Sequence, residues 1–205
     1  HKRFLNDYFT GKIEGSVSRG ELYNDDPVTC DARFCGTTAS MSGIESAGFE
    51  KDKEKLDDAI ALDLMLHAYI FCQSGIPMLY SGDEIGQIND YSYKEDPDKA
   101  GDSRYIHRGK FLWEFAKKRS DETVMQGKVF QGLNRLEKIR KAENVFGSSA
   151  EVYTYDVHND AVLCIMRRTE KDVFFGIFNF GSRDETAWMK EEGTFVDLLT
   201  GRKMT

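Results

Sequence analysis

The sequence predicts an α+β chain in two parts, a helical part over residues 1–147 that carries one buried strand of a parallel sheet, and an all-β part over 148–205. Three observations predict it. Residues 57–73 are almost all apolar or small apart from Asp63, His67 and the ends, which describes a helix buried on most sides. Ser74-Gly75 stops that helix, and Ile76-Pro77-Met78-Leu79-Tyr80 is apolar but too short for another, so it reads as a buried strand. After Gly147 the period changes to short β-branched and aromatic runs separated by turn residues.

Helix, turn and buried strand form the alternation of a parallel sheet, in which functional loops follow the C-terminal ends of the strands. Ser81-Gly82-Asp83-Glu84 occupies such an end, and the acidic loop over 89–102 is long enough to be expected to carry function. Val129, Leu133, Leu136 and Ile139 then space a second helix, with Lys138, Arg140 and Lys141 near its C-terminal end. Strands are expected over 151–157, 161–169, 173–181, 185–189 and 195–200, an antiparallel sheet or sandwich. A lone parallel strand leaves backbone groups unpaired, so its neighbours are expected upstream of His1, and the chain reads as a piece of a longer protein.

Composition narrows the function classes. With 40% hydrophobic and 12% aromatic residues, the 205-residue chain can build a packed core. A net charge of -7 lacks the basic face that nucleic acid requires, and neutral sugars suit it better. No run reaches the roughly 18 apolar residues of a membrane span, so a soluble protein is expected, with the cytoplasm the favoured compartment. Cys30, Cys35, Cys72 and Cys164 show no C-x-x-C spacing and read as reduced thiols.

The stretch from Gly75 to Gly86, Gly-Ile-Pro-Met-Leu-Tyr-Ser-Gly-Asp-Glu-Ile-Gly, resembles the eighth-strand signature of glycoside hydrolase family 13, the α-amylase family. Phe4-Leu5-Asn6 through Gly15-Ser16-Val17-Ser18-Arg19-Gly20 resembles the amylosucrase branch of it. So do Asp31-Ala32-Arg33-Phe34-Cys35-Gly36-Thr37 and Asp102-Ser103-Arg104-Tyr105-Ile106-His107-Arg108. The resemblance implies the last strand and helices of a (β/α)8 TIM barrel, part of a loop insertion after the seventh strand, and a C-terminal β domain. It also implies sucrose or α-glucan oligosaccharides as partners of the whole enzyme.

Retaining glycoside chemistry needs two carboxyl groups roughly 5 Å apart. In the family these, with a third Asp, follow earlier barrel strands, so no catalytic residue is expected in this chain. Neither is a cofactor or a metal. Substrate-binding candidates carried over by the resemblance are Arg104 at the inner end of the pocket, Arg33 and Phe4 on the acceptor side, and Asn24, which stands where the branch has Gln. Lys2 stands where it has Arg, which leaves donor preference open. Asp83 and Glu84 are adjacent on an extended segment and point to opposite faces, so a hydrogen-bonding role for Asp83 is favoured over acid–base work. Two readings stand beside the candidates, an Arg104 pair with Asp102 and an Arg33 pair with Asp31.

The other function class is a non-catalytic carbohydrate-binding or structural β module, with Trp188, Tyr153 and Tyr155 as its aromatic patch. Apolar faces left by a single strand and its helix also predict self-association.

Overall fold

The structure, a computed structural model, describes residues 1–204. The chain divides into two compact units, one comprising residues 1–64 and 79–132, the other residues 65–78 and 133–205.

The first unit opens with α1 (Lys2–Phe9), followed by the antiparallel pair β1 (Glu21–Tyr23) and β2 (Arg33–Cys35), in register Glu21 to Cys35 and Tyr23 to Arg33. Two short helices follow, α2 (Thr38–Ser42) and α3 (Ile44–Glu50). Thr37 caps α2 by accepting from the Ser40 amide at 3.2 Å, satisfying a donor that the first turn leaves free. The long helix α4 (Lys53–Cys72) contributes its first residues here, and Asp52 accepts from the Lys55 amide at 3.1 Å at its start. Residues 83–107 form a chain of three 3-10 turns, Asp83–Ile85, Tyr91–Glu95 and Ser103–His107. The short α5 (Trp113–Ala116) and the start of α6 (Met125–Ala142) complete the unit.

The second unit is a three-stranded antiparallel sheet, β3 (Glu151–Thr154), β4 (Val162–Arg168) and β5 (Val173–Asn179), in that order. A two-stranded ladder of β6 (Phe195–Val196) with β7 (Lys203–Met204) lies beyond it in sequence. One sheet face, with Ile165 and Phe178 buried and Val152, Leu163 and Phe174 beside them, packs on Cys72, Met65 and Ala68 at the end of α4. The approach is close at Gly176, where a Cβ would stand 2.9 Å from the Cys72 sulfur, so only glycine fits.

The expected helix over 57–73 is α4, displaced at its start to Lys53. Its burial corrects the expectation, since Ala59, Ile60, Asp63, His67 and Phe71 are buried along one side while Tyr69 and Ile70 are 37% and 40% exposed. The buried strand expected over 76–80 is not formed. That segment belongs to no helix or strand and has no ladder partners, with Ile76 86% and Met78 77% exposed. Its apolar composition suits a ladder, but no strand lies beside it among the described residues to supply one. Residues 185–189 also form no strand, and their Trp188 amide bonds instead to the Val157 carbonyl at 3.0 Å.

Two arginines close the end of α4 within the second unit. Arg167, 1% exposed, donates to the carbonyls of Val145 at 2.8 Å, Cys72 at 3.0 Å and Gly147 at 3.2 Å. Arg140 donates to the carbonyls of Gln73 at 3.1 Å and Gly75 at 2.6 Å. A guanidinium is the one side chain whose planar fork can satisfy several converging carbonyls at once, and its charge complements the negative end of the helix. Burial pushes the Arg167 pKa down, the electrostatic cost of holding this cation on carbonyls with no carboxylate.

Arg167→Met keeps the apolar stem and deletes the fork. Leaving buried carbonyls unpaired costs ~1–3 kcal/mol each, so the variant should lose about 3 kcal/mol or more in urea denaturation followed by far-ultraviolet circular dichroism. A loss below about 1 kcal/mol would show that the carbonyls find water instead.

Candidate functional site

The β1–β2 hairpin is three residues on each side, too short to hold itself. Its stability comes from the loop above it. Tyr93 and Ile106 bury against Cys35, with Tyr23 and Tyr105 packed beside them. The Tyr93 hydroxyl donates to Glu21, Lys94 pairs with Glu21 at 2.5 Å, and the Ser103 hydroxyl donates to the Leu22 carbonyl at 2.8 Å. Burial and the Glu21 hydrogen bond push the Tyr93 pKa up, and burial does the same to the Cys35 thiol.

The loop is itself closed at its base. Gln87 donates to the Lys110 carbonyl at 3.2 Å and accepts from the Leu112 amide at 3.1 Å, while the Asp90 amide donates to the Ile106 carbonyl at 2.8 Å. Below it lies a buried polar network. Asn89 accepts from the Thr37 amide at 2.9 Å and donates to the Arg19 carbonyl, and its own amide donates to the Ser40 hydroxyl at 2.9 Å. Ser40 donates in turn to Glu45, which also accepts from the Tyr91 hydroxyl at 2.8 Å. Glu45 is 3% exposed, so these two hydroxyls replace the water its carboxylate would otherwise hold.

On this base the structure sets one of the expected residues, Arg104, over an aromatic ring, and another, Arg33, opposite that ring's residue in the hairpin. Tyr23 lies directly opposite Arg33 in the hairpin, so both side chains leave the same face. The Arg104 guanidinium lies 4.4 Å from the centre of the Tyr23 ring. Arg104 also forms a fork with Asp102, donating from Nε at 2.9 and 3.1 Å and from Nη2 at 2.7 Å. Those hydrogen bonds hold the Asp102 carboxyl down at about 2 and push the Arg104 pKa up. The Arg104 pairing considered from sequence is therefore present, whereas Asp31 takes Lys2 as its partner instead of Arg33.

The remaining candidates lie elsewhere. Phe4 is 58% exposed on α1 and stacks on Tyr8 at 6.2 Å. Asn24 is exposed in the turn after β1, with a positive φ of 50°. Asp83 accepts from the Tyr80 amide at 2.9 Å, and Glu84 accepts from the Gly82 amide at 2.8 Å, so both carboxylates bind local backbone. The turn requires Gly82, whose φ is 103°. Tyr80 meets the His107 ring edge-on at 5.6 Å, and burial, followed by the Arg108 charge, lowers the His107 pKa.

Sequence reasoning missed Tyr23, Glu21 and Asn89. The first two stand in a three-residue strand too short to show alternation, and Asn89 looks like any loop polar residue until its partners 49 to 70 residues away are known. Among the described residues no group of three His, Cys, Asp or Glu side chains is placed to hold a metal ion. No helix among them is long and apolar enough to cross a membrane.

No family model matches the chain. Glucosylglycerate phosphorylase of Escherichia coli (strain K12) is 29% identical over 125 residues, which make up 60% of this chain and 22% of that protein. The aligned stretch thus spans about a fifth of the relative's length. The chain is distantly related to a glycosyl-transferring enzyme, and this relationship does not single out the amylosucrase branch.

The buried network generates a pH dependence. Burial, with the Glu45 hydrogen bond adding to it, pushes the Tyr91 pKa from its ordinary 10.0 to about 12. The folded state then holds that proton more tightly than the unfolded chain, so the stabilisation is complete below pH 10 and is lost as pH rises towards 12. Urea midpoints measured across that window should fall more steeply in the native chain than in Tyr91→Phe. Equal slopes would place the tyrosine outside the network.

Proposed function

We propose that the chain is the C-terminal portion of an α-amylase-family enzyme that transfers or hydrolyses α-glucosyl units, and that it supplies pocket wall and packing tail. Residues 1–147 belong in this reading to the end of a (β/α)8 barrel, and residues 148–205 to an antiparallel β domain. The observation that carries it is the Tyr23 ring, with the Arg104 guanidinium 4.4 Å from its centre and Arg33 opposite it in register on the same face of a loop-clamped hairpin. An aromatic face beside guanidinium donors suits a sugar, whose ring has apolar C–H faces and a rim of hydroxyls. The relationship to a glycosyl-transferring enzyme supports the same class. The exposed, unpaired apolar segment over 76–80 supports a barrel strand whose neighbours belong to the rest of the enzyme.

The mechanism is a double displacement. A carboxylate attacks the anomeric carbon as a carboxylic acid protonates the leaving oxygen, and the glucosyl-enzyme is then opened by an acceptor hydroxyl or water activated by the same acid, now a base. Both carboxyl groups lie outside this chain, which is inactive alone. Its residues orient the sugar. Arg104, held rigid by Asp102 and Tyr23, presents donors without ordering a free side chain on binding, which keeps the entropic cost low. The finer reading is an amylosucrase-like enzyme with sucrose as donor.

The test is to assay the enzyme expressed with the coding sequence that precedes His1. Fructose release from sucrose supports the finer reading. Sugar-1-phosphate formation that requires added phosphate would replace it with phosphorolysis, the activity named for the E. coli relative. In the active enzyme, Arg104→Lys should lower kcat/KM about 10- to 100-fold, since a single ammonium cannot reproduce the fork. Thermal stability should change little, because the ion pair is only partly buried and local, and solvent still screens it.

A further inference from the structure

The sheet of the second unit ends on one side at β5, a seven-residue strand bonded only to β4. The phase of that ladder follows from its two ends. The Phe180 amide donates to the Ala161 carbonyl at 2.8 Å and the Thr169 amide to the Asp172 carbonyl at 2.9 Å, so the even-numbered residues of β5 turn their backbone groups towards β4. The odd-numbered residues, Val173, Phe175, Ile177 and Asn179, turn theirs outward, and among the described residues those N–H and C=O groups make no hydrogen bond. The side chains are occupied on both faces. Phe174 and Phe178 pack with Cys72 and Met65 on one, and the Phe175 ring meets Tyr155 at 5.3 Å and Phe195 at 5.7 Å on the other. What lacks a partner is the backbone edge.

Proteins blunt such edges with shortness, charge, proline or a bulge. β3, at the other edge, is four residues long, and the Tyr155 amide bond to the Cys164 carbonyl fixes its phase so that only Val152 and Thr154 turn outward. β5 uses none of these devices. It runs opposite β4 without a bulge and carries no charged side chain, in a chain where 31% of residues are charged.

The edge is complementary to itself. In antiparallel pairing about a two-fold axis at Gly176, Val173 faces Asn179 and Phe175 faces Ile177 of a second copy, so every outward residue is paired. An axis at Phe175 or at Ile177 leaves one of them unpaired. Gly176 falls on the axis as a non-hydrogen-bonded pair, where two strands come closest and where it brings no side chain. Phe174 then stands opposite Phe178, and Phe175 opposite Ile177, the aromatic and β-branched pairs that stabilise adjacent strands. The neutrality of the strand favours this partner over a charged peptide, since two chains of net charge -7 can meet there with no like charges set opposite. We infer that β5 is the docking edge for a second copy of this chain, whose own β5 pairs with it antiparallel about Gly176 and joins the two sheets into one. The inference rests on the sheet alone and is independent of the functional reading above.

Sedimentation of the chain from about 1 μM to about 1 mM should show a monomer–dimer equilibrium. Amide hydrogen exchange, read residue by residue by NMR, tests the phase. The amides of Phe174, Gly176 and Phe178 should be protected at every concentration, and those of Phe175 and Ile177 only as the dimer forms. Ile177→Pro removes an outward donor and leaves the β4 ladder intact, so circular dichroism should be unchanged. It should raise the dissociation constant about 100-fold, because the two-fold axis loses the bond twice. Ile177→Val keeps the amide and should stay within about threefold. The inference is overturned if the chain remains monomeric, if the Phe175 and Ile177 amides are protected in the monomer or exchange freely in the dimer, or if the dimer survives Ile177→Pro. That last result would move self-association to the exposed apolar segment over 76–80.

Discussion

The side chain of Asn89 is where the first unit is joined. Two segments distant in sequence, at Arg19 and at the start of α2 with Thr37 and Ser40, are tied to the loop through it and its amide, and its carboxamide also donates to the Tyr91 hydroxyl at 3.3 Å. An asparagine suits this position because its carboxamide offers donor and acceptor together, and an aspartate there would put a second carboxylate near Glu45. Glu45 is the buried carboxyl group of the network, and it accepts from the hydroxyls of Ser40 and Tyr91. Everything the loop carries, including Arg104, is referenced to the hairpin through this point and the closure by Gln87.

Arg104 illustrates how a local pairing shapes a site. Its carboxylate partner is two residues away, so the loop orders both groups together and little entropy is lost in bringing them into contact. A half-buried local pair of this kind, still screened by solvent, adds little to stability. Its consequence is geometric. The fork to Asp102 fixes the plane of the guanidinium, and the Tyr23 ring supports one face of it, so the outward N–H groups point in set directions. A lysine at the same place would carry the charge without the plane.

Periodic features were legible in the sequence and pairings between distant residues were not. The helices Lys53–Cys72 and Met125–Ala142 announce themselves by apolar spacing, and β3, β4 and β5 by β-branched runs cut at turn residues. The 3-10 turns between 83 and 107 have no period to read, and the hairpin that carries Arg33 is three residues deep. At the site, motif resemblance pointed to Arg33 and Arg104, yet Tyr23, the ring that relates them, carries no local signal. The extended geometry expected for Asp83 and Glu84 was not found, since both stand in the 3-10 turn Asp83–Ile85 and each accepts from nearby backbone.

The segment over 76–80 separates propensity from structure. Ile76, Met78 and Tyr80 have the composition of a strand, but a strand is defined by what pairs with it, and extended backbone alone gains no ladder bonds. The same holds for the apolar residues of α4 that lie exposed, Tyr69 and Ile70, since a helix all of whose faces are apolar needs more than one neighbour. Where packing is supplied within the chain, as by the β3–β5 sheet at Cys72, the helix buries to a close approach that excludes even a methyl group at Gly176. Burial in this protein therefore follows the availability of a partner surface rather than the hydrophobicity of the residue.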